Sequence, residues 1–243
     1  MALISDLIID LSVMSGLAEA SIVGVARRLR EDGLLSQKGR GRGAAHATPL
    51  DAARLCIALM IGGKAKDASI VVHDFGQLQL SSRSVEPEHV YASLSLEMVG
   101  VPPDHVLEEG LAGLIAVWGE DKLVAKMEAL VGPVGIWPGM LARLSDSSMA
   151  GTICFGASTY FYNHTTLIRA NQAEDSEARL ALSEEYLATA RRYGSGIRST
   201  REISGVELMP LGQVVAGLRD PGWRESDEAA YRRLIEAAKE EEP

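Results

Sequence analysis

The sequence predicts an α+β protein in two parts, a small and mostly helical unit over residues 1–63 and a helix-rich α+β unit over residues 64–243. Three observations carry this expectation. Apolar residues recur with a helical period from Leu3 to Met14 and then stop at Gly16. Basic residues and glycines alternate through Lys38-Gly39-Arg40-Gly41-Arg42-Gly43, between a helical stretch and the helix start at Thr48-Pro49. Beyond residue 63 helical patterns dominate, with β-prone runs such as Thr152-Ile153-Cys154-Phe155 set between them.

In chain order, Leu3, Ile4, Leu7, Ile8, Leu11 and Met14 share one helical stripe. A short turn, residues 15–20, leads to a second helix over 21–32, with Ile22, Val25, Ala26 and Leu29 inward. Arg27, Arg28 and Arg30 lie largely off that face; Ser21 is the expected N-cap and Gly33 the expected stop. Residues 34–36 and 44–47 are predicted as the strands of a hairpin with the Lys-Gly-Arg tip between them. Glycine at every other tip position frees the turn and lets the main chain lie against phosphates. Thr48 then caps a third helix, with Asp51 completing a capping box and Leu50, Ala53, Ile57, Met60 and Ile61 facing a core. The domain boundary is expected near residues 62–67.

In the second unit, helices are predicted over 66–80, 89–99, 108–118 and 123–130, followed by a loop over 132–139. A hairpin is expected from 140–144 and 151–158 around Ser-Asp-Ser-Ser-Met-Ala-Gly. A charged helix over 178–193, a strand over 198–204, a helix over 208–218 and an acidic terminal helix over 224–242 complete it.

Helix, turn, basic helix, hairpin and helix form the order of a winged helix-turn-helix. The stretch SGLAEASIVGVARRLREDGLLSQKGRGRGAAHATPLDAARLCIAL resembles winged helix-turn-helix regulators, with a Gly-containing turn, a recognition helix, a Gly-Leu-Leu exit and a basic wing. A Thr-Pro-x-Asp helix start follows the wing. Its chain order is similar to the MerR-type variant and to regulators carried by prophages and mobile elements of proteobacteria. The resemblance covers about the first quarter of the chain and implies a double-stranded DNA-binding module.

Net charge is −9, which taken alone argues against nucleic acid. The distribution argues the other way, since residues 1–66 hold nine Lys/Arg against six Asp/Glu and the remainder 15 against 27. Screening makes distant charges count for little, so a local basic patch on an acidic body suits phosphate contact.

Other classes find little support. No apolar run approaches the ~20 residues of a membrane span, and the N-terminus lacks a positive leader region. Cys56 and Cys154 read as buried free thiols of a cytoplasmic protein. The five histidines have no metal-ligand spacing and the chain has no nucleophile elbow, so neither metal, cofactor nor catalysis is expected. His73 with Asp74, and His105 with Glu108 or Glu109, are the acid–base pairs that folding could assemble, although scattered polar residues on amphipathic helices explain them better. Gly39-x-Gly41-x-Gly43 lacks the spacing and the strand–helix context of a dinucleotide fingerprint.

The expected function is sequence-specific DNA binding by a homodimeric transcriptional regulator. Arg27, Arg28 and Arg30 would contact DNA from the recognition helix, with Ser21 and Gln37 reading or positioning. Lys38, Arg40 and Arg42 would bind phosphate or enter the minor groove, with His46 near the backbone. The aromatic run around Tyr160 and Tyr162, with Trp137, is the place for an effector pocket, open to a small molecule or a protein. Two other classes fit the same residues: a phage-type DNA-packaging or replication-origin recognition protein, and an enzyme with its site in residues 67–243.

Overall fold

Alternating buried and solvent-facing side chains build an antiparallel sheet. Met140, Ala142 and Leu144 of β2 (Met140–Ser145) are buried, as are Ile153 and Phe155 of β3 (Ala150–Phe155) and Tyr160 and Tyr162 of β4 (Ser158–Asn163). A period of two puts these side chains on one face. β1 (Gln79–Val85) and β5 (Thr200–Ser204) flank them, giving the order β1-β4-β3-β2-β5. The computed structural model describes residues 2–37, 46–62, 64–134, 138–193 and 200–218.

The predicted hairpin of β2 and β3 is present, with Met140 opposite Phe155 and Ser145 opposite Ala150. β3 turns into β4 through Gly156 and Ala157, with Gly156 at φ 61°. A Cβ there would meet the Tyr91 carbonyl at 2.9 Å, so both the turn and the close approach require glycine.

The buried face is covered by helices. α5 (Leu107–Ala116) packs on β3, and α3 (Pro49–Ile61) packs against α5, α4 (Ala68–Gly76) and α9 (Gly205–Ala216). α1 (Ile4–Ser15) rests on α2 (Glu19–Glu31) and α9. One apolar core therefore runs from Ile4 through Leu55, Ile57, Leu111 and Leu114 to Leu211, across the expected boundary at residues 62–67. Each fully buried Leu or Ile contributes roughly 1.5–3 kcal/mol. α6 (Asp121–Val134), α7 (Thr165–Gln172) and α8 (Ser176–Ala190) complete the α+β architecture.

Several boundaries differ from the sequence reading. The helix expected over 66–80 ends at Gly76, and the chain continues as edge strand β1, whose serines suit an exposed edge. The helix expected over 89–99 is a series of turns ending in a 3-10 turn, Leu96–Val99. Tertiary bonds take its backbone groups: the Leu96 N–H donates to the Tyr160 hydroxyl at 3.0 Å, and the Ser158 hydroxyl donates to the Leu94 carbonyl at 3.3 Å. α6 continues to Val134, through part of the expected loop. The terminal helix expected over 224–242 lies outside the described residues.

Candidate nucleic-acid interface

α2 is built as the sequence requires of a helix with one inward face. Ile22, Ala26 and Leu29 are buried, beside Leu7, Ile8 and Leu11 of α1 in the core. Arg27 and Arg30 are exposed, and the Arg27 side chain keeps 78 % of its free surface. Arg28 is half-buried. Arg27 pairs with Glu31 at 3.2 Å and Arg28 with Asp32 at 3.0 Å, both one helical turn apart. The exposed Arg27 pair is worth only about 0.3–0.5 kcal/mol, so it holds that guanidinium weakly against a competing phosphate.

The end of α2 is a Schellman motif. Gly33 sits at φ 74°, its N–H donates to the Arg30 carbonyl at 3.1 Å, and the Leu34 N–H donates to the Leu29 carbonyl at 2.8 Å. Gln37 then folds back, its side-chain amide donating to the Arg30 carbonyl. Lys38, Arg40 and Arg42 lie outside the described residues. His46 is exposed.

Two details depart from expectation. α2 begins at Glu19 with Ala18 as its N-cap, so Ser21 lies exposed in the first turn and caps nothing. His46 forms an antiparallel bridge with Leu3, and the Ala47 N–H donates to the Ala2 carbonyl at 2.9 Å. Residues 46 and 47 thus pair with the N-terminus, while residues 34–36 form no strand.

Asp51 ties both feet of this loop together. Its carboxylate accepts from the Ser36 N–H at 2.7 Å, the Ser36 hydroxyl at 2.8 Å, the Thr48 N–H at 2.8 Å and the Thr48 hydroxyl at 2.7 Å. The capping box was legible in the sequence; the bonds to Ser36 were not. Arg54 carries the same region onto the body. It donates to the Leu34 carbonyl at 2.9 Å and, through two nitrogens, to both oxygens of Glu108 at 2.9 and 3.0 Å. Gln77 donates to Glu108 at 2.9 Å. The Glu108 hydrogen bonds raise the Arg54 pKa above its ordinary value, against the opposing effect of burial.

No family model, curated protein or solved structure matches this chain.

Tyr160 and Tyr162 are buried in the core. Tyr160 lies beneath the Arg83 guanidinium, 5.0 Å from the ring centroid. The Tyr162 hydroxyl lies 2.6 Å from His105 Nε2, and His105 Nδ1 lies 2.6 Å from the Pro102 carbonyl. A carbonyl only accepts, so His105 carries a proton on Nδ1, and in the neutral imidazole Nε2 accepts from the Tyr162 hydroxyl. Burial pushes the Tyr162 hydroxyl pKa up. Trp137 lies outside the described residues, and the geometry brings Tyr160 and Tyr162 to a packed sheet–helix layer. The acid–base pairings of His105 with Glu108 or Glu109 do not form, since Glu108 binds Arg54 and Glu109 accepts from the Val106 N–H at 3.0 Å. His73 and Asp74 approach to 3.4 Å, with His73 exposed.

A cavity of about 420 Å³ was not legible in the sequence. Leu11, Met14, Leu59, Met60 and Ile203 line it with Arg201, from elements far apart in the chain. Among the described residues, no helix is long and apolar enough to cross a membrane, and no cluster of three His, Cys, Asp or Glu residues could hold a metal.

Proposed function

We propose that this protein is a sequence-specific DNA-binding transcriptional regulator, with α2 as the recognition helix and residues 36–47 as a basic wing. The observation that carries the reading is the junction at the end of α2. The Asp51 carboxylate holds both feet of the Lys-Gly-Arg-Gly-Arg-Gly loop, and Gln37 bonds back to Arg30, beside the exposed Arg27 and Arg30 side chains. A recognition helix gains from a rigid mounting, because base-edge contacts depend on register and phosphate contacts set that register. Arg54 and its bidentate pair with Glu108 supply such a mounting.

In this reading Arg27 and Arg30 approach the major groove, and Lys38, Arg40 and Arg42 neutralise phosphates or enter the minor groove. Arg28, half-buried beside Asp32, contributes less than its neighbours. Two copies bind half-sites about one helical turn apart, since one small module gives limited affinity and specificity. Repeated selection from a random-sequence duplex pool with the full chain tests the proposal. Enrichment of one site, lost with Arg27→Ala plus Arg30→Ala, is the expected result. Failure to retain any duplex at low salt would overturn it.

A further inference from the structure

A seven-residue repeat runs through α8. Residues 177–183 read EARLALS and residues 184–190 read EEYLATA, with Glu, Leu and Ala at the first, fourth and fifth places of both. Arg191 then occupies the first place of a third turn of the pattern. Positions spaced this way fall on one helical face, the spacing of a helix–helix seam.

That face points away from the body. α8 is attached through its other side: the Tyr186 hydroxyl donates to the Ser148 carbonyl at 2.6 Å, and the Thr166 hydroxyl donates to Glu185 at 3.2 Å. Ala190 is the buried residue of the helix. Leu180 and Leu187, on the repeat face, are 61 % and 47 % exposed. Glu177, Glu184 and Arg191 form no ion pair among the described residues.

We propose that a second copy of this chain covers this face, α8 lying antiparallel on α8 about a two-fold axis at Glu184. The pattern is self-complementary in that arrangement and in no parallel one. Leu180 falls opposite Ala188 of the second copy, Ala181 opposite Leu187, and Glu177 opposite Arg191, each contact occurring twice. Large side chains meet small ones, so the helices approach closely, and unlike charges meet at both ends. A parallel pair would set Glu177 on Glu177 and Arg191 on Arg191, which is repulsive. One like-charge contact remains, between the two Glu184 side chains at the axis.

The seam is only about 22 Å long, 15 residues at 1.5 Å each. It falls short of the roughly 1,600 Å² of a standard stable interface, so exchange between monomer and dimer is expected in the micromolar range. This inference does not rest on DNA binding; either one can fail alone.

Sedimentation equilibrium of the full chain, from about 1 to 200 μM, tests it. A monomer–dimer equilibrium abolished by Leu180→Glu with Leu187→Glu is expected. Arg191→Glu should weaken the dimer several-fold, Glu177→Arg added to it should restore pairing, and Glu184→Gln should tighten it. The charge swap keeps the test independent of any folding defect in the leucine variant. A monomer at every concentration, a dimer indifferent to the leucine pair, or an Arg191→Glu defect that Glu177→Arg does not rescue would each overturn the proposal. So would a monomer that the leucine variant makes less heat-stable, which would mean that residues beyond 218 cover the face within one chain.

Discussion

The Ser36 backbone N–H donates to the Asp51 carboxylate at 2.7 Å, joining the start of the basic loop to the first turn of the helix that follows it. The same carboxylate holds Thr48 at the other end, and Asp51 itself is buried. A single side chain thus joins the described ends of the loop, where residues 34–36 form no strand. Asp51→Ala should destabilise the protein by about 3 kcal/mol, through a lost helix cap and stranded donors at Ser36 and Thr48. Denaturant unfolding measures this, and a midpoint equal to that of the parent would mean that the loop is held elsewhere.

Arg54 and Glu108 are the second attachment of this region to the body. Their side chains keep 20 % and 7 % of their surface, so removing one partner leaves the other charge poorly solvated. Glu108→Ala should cost about 3 kcal/mol or more, and Arg54→Leu combined with Glu108→Leu should recover much of the loss. A double variant as unstable as the sum of the single ones would argue against coupling through this pair.

Residues 1–63 are not expected to fold alone. α3 buries Ala52, Ala53, Leu55, Cys56 and Ile57, and its neighbours include α4, α5 and α9, all beyond residue 63. A fragment ending at Gly63 should show weak helical circular dichroism and no cooperative melt. A cooperative transition in that fragment would instead establish an autonomous N-terminal domain.

The elements read correctly from the sequence are those whose signals are local. Gly33 after Leu29, Thr48-Pro49 before Asp51, and the alternation through residues 140–155 each specify an end or a period within a few residues. The helix expected over 66–80 overruns into Gln79 and Leu80, because Leu78 and Leu80 continue the apolar spacing of α4, whereas the strand identity of β1 comes from pairing with β4, about 80 residues away. Tyr160 and Tyr162 suggested a pocket because exposed and buried aromatics look alike in a sequence. Their partners lie in turns: Leu96 within the stretch expected as helix over 89–99, and His105 beyond it. Arg54 carried no sequence signal at all, since Glu108 lies 54 residues on. Arg27 and Arg30 were legible as an exposed basic face, because helical period alone separates them from Ile22, Ala26 and Leu29.

Cys56 is held protonated by burial, its thiol pKa pushed up to about 12 from an ordinary 9.0. A raised folded-state pKa contributes stability that is fully present below pH 9 and is lost as pH rises through about 12. Between those values the parent should lose stability faster than Cys56→Ala, when denaturant midpoints are compared. At pH 8 a thiol reagent should modify the half-buried Cys154 well before Cys56. Equal labelling rates would mean that α3 opens readily.

The salt dependence of duplex binding is the decisive measurement for the proposed wing, using the full chain beside Lys38→Ala/Arg40→Ala/Arg42→Ala. Binding by the parent should weaken steeply as salt rises, and the triple variant should bind less tightly with a log–log slope smaller by about two to three units. Identical affinity and slope for the two proteins would contradict the wing, and no binding by either at low salt would contradict the DNA-binding function itself.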